Sequence, residues 1–401
     1  MKQRYILLGK IAHVISGYAF KSQDFQESGV PVIKISNIKQ ESITFENCQY
    51  LNEEFLSIDK KYHVSNGDIL ISLTGSHLSQ PNSVVGRIAR YRHPFDSLLN
   101  QRVGKIIVKD TSKYVDTYIY YFLLQDDVRY TLAVNAKGSA NQANISPSDV
   151  EGLLIPDFPY SLQKRIADIL SSYDDLIENN KRRIALLEES ARLLYKEWFV
   201  HFRFPGHEHV KIIDGVPEGW RRSTLDQIAE IVMGQSPESK YYNETGDGLP
   251  FHQGVSDFGV RFPSNSIYCT IKNRTAEPGD ILFSVRAPVG RINIAPELLV
   301  IGRGLSAIRE KSGYQSFLFY QLKNHFFKED IIGGGTIFAS ITKKALQEVN
   351  LLTPPVQLIE AFQRYVLPID KQIEILHKST DSLRKARDIL LPRLMKGEIQ
   401  L

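Results

Sequence analysis

The feature of this 401-residue sequence that most constrains its fold is an internal duplication. A set of short motifs occurs twice in the same order, while the loops between the motifs differ in length. The paired segments are 8–17 with 225–234, 66–72 with 278–284, 85–88 with 289–292, 137–139 with 334–336, and 145–146 with 341–342. A repeat of about 200 residues is too long for a solenoid, so the sequence predicts two similar domains.

The first part of each copy has the pattern of short β-strands. Runs rich in β-branched residues alternate with loops rich in Ser, Asn, Gly and Pro, which predicts a β-rich domain. The predicted strands are 30–38, 68–73, 86–91 and 103–108 in the first copy, and 266–271, 280–285, 290–295 and 305–310 in the second. A short helix is predicted after each set, at 114–124 and at 314–324.

The second part of each copy has the pattern of a long amphipathic helix. Apolar residues recur every three or four positions from Leu162 to Trp198, and the same spacing recurs from Leu358 to Leu394. Such a stripe is typical of a coiled-coil seam, and two matching stripes favour pairing of the helices over packing of each on its own domain. Pro368 lies within the second stripe, so we expect it to bend that helix or mark its start.

Composition excludes several classes of protein. With 42% hydrophobic residues the chain can form packed cores, and its two cysteines are too few for a disulfide framework. No apolar run approaches the roughly 20 residues that span a bilayer, and the N-terminus lacks a signal-peptide pattern, so we expect a cytoplasmic protein. The net charge of +4 permits nucleic-acid binding without arguing for it.

No convincing catalytic constellation is present in the sequence. A phosphate-binding loop with Gly-x4-Gly-Lys-Ser/Thr is absent, as is the Asn/Asp-Pro-Pro-Tyr/Phe motif of enzymes that methylate an extruded adenine. His201, His207 and His209 lie close together, but no cysteine or carboxylate completes a metal site. We therefore expect no catalytic residues, no bound metal and no cofactor in this chain.

The polar loops instead carry the residue types that contact DNA. Arginine, glutamine and asparagine side chains recognise base edges in the major groove, and arginine also contacts phosphates. Each arginine alone is better explained as a solvated or locally paired surface residue, but their occurrence on aligned loops favours nucleic acid. The candidates are Arg87, Arg90, Gln101, Arg102, Lys137, Ser139, Gln142 and Asn144 in the first copy, and Arg286, Arg291, Arg303 and Thr336 in the second.

Three helical segments resemble a known family. Residues 155–180, beginning Ile-Pro-Asp-Phe-Pro, and 193–206, containing Tyr-Lys-Glu-Trp-Phe, closely resemble the central conserved region of type I restriction–modification specificity subunits. Residues 390–399 resemble the distal conserved region, and the Gly-Asp-Ile-Leu motifs at 67–70 and 279–282 resemble a strand of the target recognition domains. The resemblance covers essentially the whole chain, and its helical motifs are specific.

The resemblance implies an α+β fold with two β-rich target recognition domains, each followed by a long helix, and with the two helices paired as an antiparallel coiled coil. The implied domains are 1–154 and 205–353 for recognition, and 155–204 and 354–401 for the helices. The chain would be a non-catalytic DNA-binding subunit that reads a bipartite, asymmetric DNA site, with the helices setting the spacer. Two modification subunits would methylate adenine N6 with S-adenosylmethionine, and ATP-dependent restriction subunits would complete the endonuclease.

Two other interpretations of the sequence stay open. One is a degenerate methyltransferase, which would bind S-adenosylmethionine by itself. The other is a non-catalytic scaffold or antagonist, which would dock methylase subunits without DNA specificity of its own. The target sequence cannot be derived from the loops, because loop residues do not map onto bases without a complex.

Overall fold

The protein consists of two compact units. The structure, a computed structural model, describes residues 4–39, 41–76, 83–136, 142–326 and 340–401. Unit 1 comprises Met1–Asn180 together with Ser379–Leu401, and unit 2 comprises Lys181–Lys378. Each unit contains one β-rich domain and one half of each of two long helices. No helix in the described part of the chain is long and apolar enough to cross a membrane.

The β-rich domain of unit 1 is built on a four-stranded antiparallel sheet. In spatial order its strands are Ala12–Ser16, Val103–Val108, Ile69–Ser72 and Ile88–Arg90. A second sheet has the order Gln49–Leu51, Val30–Ile33, Ser97–Leu99 and His63–Val64. Two-stranded ribbons pair Tyr5–Leu7 with Leu154–Pro156 and Thr74–Ser76 with Gln142–Asn144. The helices are Leu8–Ile11, Asp116–Leu124, Asp126–Val134 and Pro147–Glu151, and the 3₁₀ turns are Ser22–Asp24, Ile35–Asn37, Glu53–Ser57 and Lys60–Tyr62.

The β-rich domain of unit 2 repeats this plan. Its four-stranded sheet has the order Ala229–Met233, Leu305–Glu310, Ile281–Ser284 and Ile292–Ile294. Its second sheet has the order Tyr242–Asn243, Tyr268–Cys269, Leu249–His252, Leu299–Ile301 and Thr275–Ala276. Two ribbons pair Arg221–Thr224 with Asn350–Thr353 and Ile212–Ile213 with Val216–Pro217. The helices are Leu225–Ile228, Gln315–Phe326 and Lys343–Gln347, and the 3₁₀ turns are His207–His209, Ser239–Tyr241 and Val255–Asp257.

The predicted strands are present, and most are shorter than predicted. Val103–Val108 and Leu305–Glu310 agree with the prediction at both ends. The run predicted at 30–38 is a strand only to Ile33, because Asn37 accepts a 3.0 Å hydrogen bond from the backbone N–H of Lys34 and closes a 3₁₀ turn. Asparagine side chains commonly compete with strand hydrogen bonds in this way.

A short helix fills the core of each β-rich domain. Six consecutive side chains of Asp116–Leu124, from Tyr118 to Leu123, are buried. The equivalent helix, Gln315–Phe326, buries Phe317 to Leu322. A helix that is apolar on all sides is stable only inside a packed domain, so this helix is the centre of each core.

The two long helices are Tyr160–Phe199 and Val356–Met395, and they pack antiparallel within each unit. In unit 1, Ile166 lies in one apolar core with Leu394, and further along Asn180 donates a 3.4 Å side-chain hydrogen bond to Ser379. In unit 2, Ile184 packs with Ile373, and nearer the helix end the ring of Trp198 lies 6.0 Å from that of Phe362. The predicted antiparallel pairing is confirmed.

The structure decides between the two expectations for Pro368 in part and corrects one detail of the seam. The second helix begins at Val356 and continues through Pro368, so Pro368 does not mark its start, and the expected bend stays a prediction. Leu176 and Tyr365 were expected on the seam, yet they are 53% and 61% exposed, whereas their neighbours Ile177 and Val366 are buried. A straight helix with 3.6 residues per turn drifts by about 20° per heptad relative to a strict 3.5-residue repeat, so the buried stripe shifts along 40 residues.

Candidate nucleic-acid interface

Four backbone hydrogen bonds bring three loops of the unit 1 domain to one strand end. Ser72 and Leu73 end the central strand; Ser72 exchanges hydrogen bonds with Arg87 and Gly86, each 2.9 Å. The N–H of Leu73 donates to the carbonyl of Arg102 (2.9 Å), and its carbonyl accepts from Ile145 (2.8 Å). We call the described residues 72–76, 84–87, 100–102 and 142–145 the first strand-end cluster.

The unit 2 domain repeats these four hydrogen bonds. Ser284 donates to the carbonyl of Arg291 (2.9 Å) and accepts from Gly290 (3.1 Å). Val285 donates to the carbonyl of Gly304 (2.9 Å) and accepts from Ile341 (2.9 Å). We call residues 284–286, 288–291, 302–304 and 340–341 the second strand-end cluster. The duplication seen in the sequence is therefore a duplication of this loop junction.

Two pairs of glycines explain why the motifs at this junction recur. Gly86 and Gly290 have φ of 69° and 90°, in the left-handed region that favours glycine. A side chain at Gly17 or at its equivalent, Gly234, would come within 2.2 Å of a backbone carbonyl oxygen. The junction thus requires glycine at both positions in both domains.

Most of the predicted DNA-contacting residues that the structure describes lie in the two clusters and are exposed. In the first cluster these are Gln101, Arg102 and Asn144, and in the second they are Arg286, Arg291 and Arg303. Within the described residues, the side chains of Gln101, Arg102, Arg286 and Arg303 show no hydrogen bond or ion pair. These four side chains can meet a ligand without breaking an existing contact.

Arg87 lies in the first cluster but is half-buried. Burial, together with the nearby charge of Arg129, lowers the pKa of Arg87 from its usual value. Arg129 also donates to the carbonyls of Val85 (3.2 Å) and Ser83 (2.7 Å), so it fixes the turn that presents Arg87. Two adjacent guanidinium groups favour an anion such as a phosphate at this turn.

Arg90 is separated from the other candidates by its contacts. Its guanidinium donates to the carbonyl of Gly67 (3.2 Å), the hydroxyl of Thr117 (2.8 Å) and the carboxylate of Asp116 (3.0 Å). These bonds join the edge strand to the short helix and leave the Arg90 side chain 18% exposed. The structure therefore shows Arg90 holding the domain together, and a DNA contact by Arg90 would require some of these bonds to open.

Three candidates lie outside the described residues: Lys137, Ser139 and Thr336. Of Gln142 the structure describes the backbone, which pairs with Ser76 in a two-stranded ribbon. Asn144 pairs with Thr74 in the same ribbon, and the corresponding bridge in unit 2 joins Arg286 to Ser340. The polar stretch around 142–144 is thus attached to the first strand-end cluster.

The structure adds residues that the loop pattern does not indicate. Tyr18 is 42% exposed, and its carbonyl accepts a 3.0 Å hydrogen bond from the backbone of Gln101. In unit 2, Ser236 accepts from the backbone of Arg303 (3.1 Å) and donates to the side chain of Gln253 (2.8 Å). Tyr18 directly follows the first duplicated motif and Ser236 lies two residues after it, and this position in the sequence is the signal that could have revealed them.

A buried histidine lies beside the second cluster. His252 is fully buried, and its Nε2 lies 3.2 Å from Oδ1 of Asn265. Burial lowers the pKa of His252, and the carboxylates of Asp257 and Glu297 oppose that shift only partly. The imidazole of His252, which directly precedes Gln253, is therefore neutral at neutral pH.

No group of three or more His, Cys, Asp or Glu side chains within the described residues is arranged to hold a metal ion. The first strand-end cluster carries exposed arginine and amide side chains and the second carries exposed arginines, each on the same backbone junction. Such groups bind phosphates and base edges rather than perform acid–base chemistry.

Comparison with known proteins agrees with this chemistry. The family described as the type I restriction modification DNA specificity domain matches residues 5–189 and 217–385. A predicted specificity subunit of the MjaX type I restriction enzyme of Methanocaldococcus jannaschii is 32% identical over 399 residues, covering 98% of this chain and 93% of that protein. The HindI specificity subunit of Haemophilus influenzae is 22% identical and covers 88% and 91%, respectively.

A solved structure shows the same fold. The type I restriction–modification S subunit from M. genitalium is 18% identical and has a TM-score of 0.57, with 98% of this chain and 96% of that chain covered. Two β-rich domains with equivalent polar loop junctions, each packed on paired long helices, define an internally duplicated recognition subunit. The chain belongs to the type I restriction modification DNA specificity family. It is a specificity subunit and not itself a catalytic one, as the sequence predicts.

Proposed function

We propose that the two β-rich domains, residues 1–154 and 205–353, are target recognition domains that each read one half of a bipartite DNA site. The observation that carries the proposal is the repeated strand-end cluster, with four equivalent backbone hydrogen bonds in each domain. A duplicated rigid junction that presents different side chains is suited to reading two different short sequences. The complete site is then asymmetric.

Base recognition is assigned to polar side chains of the strand-end loops, of which Gln101, Arg102, Arg286 and Arg303 are exposed and have no hydrogen bond or ion pair within the described residues. Arginine pairs with guanine through two hydrogen bonds, and glutamine or asparagine pairs with adenine in the same way. In the first domain the base-reading candidates are Gln101, Arg102, Gln142 and Asn144; in the second they are Arg286 and Arg303. Arg87, Arg291, Lys137, Ser139 and Thr336 are proposed contacts to the same DNA, and Arg87 is the best suited to a phosphate.

The helical segments, 155–204 and 354–401, are proposed to fix the unspecified spacer between the half-sites and to dock the catalytic subunits. Because the chain is duplicated, it offers two equivalent docking surfaces, and we assign two modification subunits to them. These subunits would supply S-adenosylmethionine and methylate adenine, whereas ATP-dependent restriction subunits would cut. The complex would act in the cytoplasm, where it meets DNA.

The proposal is tested by co-expressing the chain with its modification subunit and sequencing the methylated adenines of the host genome. We expect one motif made of two short, unlike half-sites separated by a gap of constant length. Native mass measurement of the purified complex should give two modification subunits per chain. A complex that forms but methylates no bipartite motif would show instead a scaffold or antagonist without DNA specificity.

A further inference from the structure

In each unit, one buried arginine contacts carboxylates so that both long helices and the β-rich domain meet at its guanidinium group. We infer that Arg387 in unit 1 and Arg261 in unit 2 are positioning residues, which hold each β-rich domain in one orientation on its helices and thereby set the length of the gap. This inference rests on the proposed function, because it concerns how the same subunit measures its DNA target.

In unit 1 the arginine comes from the second long helix. Arg387 is 2% exposed and its Nη1 lies 2.6 Å from Oδ1 of Asp174 on the first long helix. Its Nη2 lies 2.7 Å from Oε1 of Glu41 in the β-rich domain. The hydroxyl of Tyr121, on the short core helix, donates to the other oxygen of Asp174 (2.8 Å). Three parts of the unit therefore meet at one guanidinium group.

In unit 2 the arginine comes from the β-rich domain. Arg261 is 2% exposed, and its Nε lies 2.6 Å from Oε1 of Glu188 on the first long helix. Its Nη2 bonds to Asp370 on the second long helix and to the hydroxyl of Tyr320 (2.7 Å). That hydroxyl also donates to Asp370 (3.0 Å).

Both clusters consist of one arginine and two carboxylates from three different parts of the unit, although the arginines lie on different elements. Asp174 and Asp370 occupy corresponding positions in the two copies of the long helix, and each bonds to a tyrosine of the short core helix. Each unit adds a second carboxylate from its third part. In unit 1 this is Glu41 of the β-rich domain, and in unit 2 it is Glu188 of the first long helix. A shared geometry with exchanged partners indicates a common requirement, which is a fixed angle between domain and helices.

Stability alone does not account for these clusters. Removing a guanidinium and two carboxylates from water is costly, and apolar residues of similar volume often serve as well or better in a core. The planar guanidinium instead imposes direction, because its hydrogen bonds, to Asp174 and Glu41 for Arg387 and to Asp370 for Arg261, form only when the acceptors lie near its plane. The contact of Arg261 with Glu188 is an ion pair. An apolar contact would allow the domain to rotate, and a rotation at the domain moves the loops that reach the bases.

The test measures gap length, which a merely stabilising role would not change. The chain–modification subunit complex is offered a DNA library with both half-sites fixed and every gap length present, and bound molecules are sequenced. We expect Arg261→Met and Arg387→Met complexes to recognise the same half-sites, while their preference for the native gap over gaps one base pair longer or shorter falls at least about tenfold. Arg261→Lys, which keeps the charge but loses the planar fork, should fall between wild type and Arg261→Met.

Arg309→Met is the matched control, because Arg309 binds Asp280 within the β-rich domain (2.7 and 2.8 Å) and has no bond to the long helices among the described residues. It should keep the native gap. If Arg261→Met does not fold, the triple variant Glu188→Leu, Arg261→Met, Asp370→Leu removes all three charges together. A folded variant of either cluster that selects the native gap as strictly as wild type overturns the inference. A wild-type complex that selects no pair of half-sites overturns the proposed function instead.

Discussion

At the scale of single residues, the contacts of each arginine distinguish structural arginines from candidates for DNA contact, which the sequence alone does not distinguish. Arg90 and Arg102 lie only 12 positions apart on β-rich segments of similar composition. Arg90 forms three hydrogen bonds inside its domain, whereas the Arg102 side chain is exposed and has no bond within the described residues. An arginine already held by carboxylate and carbonyl groups loses those bonds before it can contact DNA, so Arg102 is the better candidate for recognition.

We predict that Arg303→Ala weakens recognition of one half-site only. Loss of a bidentate contact to a base should cost about 1–3 kcal/mol of binding free energy and relax the sequence preference at that position. The measurement is competitive binding of the complex to DNA with the second half-site intact or scrambled. Arg309→Ala serves as the control, since Arg309 is paired with Asp280. Equal losses on intact and scrambled DNA would assign Arg303 to phosphate contact rather than base reading.

A second residue-scale prediction concerns pH. Because burial lowers the pKa of His252, the unfolded chain binds a proton more readily than the folded chain below the ordinary value of 6.5. Its contribution to stability is therefore present above that value and is lost as the pH falls towards the lower folded pKa. Hydrogen exchange of the strand Leu249–His252 should accelerate as the pH falls below the ordinary histidine pKa of 6.5, after correction for intrinsic exchange rates. His252→Gln should reduce this acceleration; an unchanged acceleration in the variant would assign it to other groups.

At the scale of elements, polar residues fix the register of the long helices. The side chains of Asn180 and Ser379 form a hydrogen bond between the two long helices, and Asp174 and Arg387 form another in unit 1. A purely apolar seam would allow one helix to shift along the other. A buried polar pair is satisfied in one register only, whereas leucines pack acceptably in several. The helices are thereby suited to act as a spacer of fixed length.

We predict that lengthening both helices together lengthens the gap. Seven residues inserted after Asn180 and seven before Ser379 preserve the heptad pattern and add about 10.5 Å to each helix. At 3.4 Å per base pair, the preferred gap should grow by about three base pairs. Selection from the library of gap lengths measures the change. Insertion into one helix alone breaks the pairing and should abolish a defined gap, while an unchanged gap after both insertions would contradict the spacer role.

At the scale of the whole molecule, duplication explains how a chain of net charge +4 can serve as a DNA-recognition subunit. Four of the exposed arginines, Arg102, Arg286, Arg291 and Arg303, lie at the two loop junctions, and a small total charge is compatible with two such local positive sites. Partner subunits can supply further phosphate contacts. The same duplication provides two equal helical segments, which is the basis for assigning two modification subunits.

Much of the fold could be predicted from the sequence because its determinants are local. The order of motifs revealed the two domains, and the apolar spacing revealed both long helices and their pairing. The strand at 30–38 was overestimated, because a 3₁₀ turn follows Ile33, in which the Asn37 side chain accepts a hydrogen bond from the Lys34 N–H. The predicted seam was wrong at Leu176 and Tyr365. Over a long helix, the buried stripe drifts relative to a strict 3.5-residue repeat, and this drift decides which side chain is buried.

The candidate site was only partly accessible to the same reasoning. Arginines on aligned loops could be identified from the repeat, and six of the predicted residues lie exposed at the two junctions. Tyr18, Ser236 and Gln253 escaped notice, because their proximity to Gln101 and Arg303 arises from pairing between distant strands. The sequence of a loop does not indicate which strand lies beside it in the folded domain.

The sequence by itself determined the duplication, the kinds of elements, the family and the absence of a recognisable catalytic motif, since these depend on order and spacing along the chain. Only the tertiary structure decided which polar side chains are exposed at the strand ends and which are buried as connectors. Arg387 and Glu41 are separated by 346 positions, yet two hydrogen bonds join the guanidinium of one to the carboxylate of the other. The role of a charged residue depends on the groups that folding brings to it, and those groups come from distant parts of the chain.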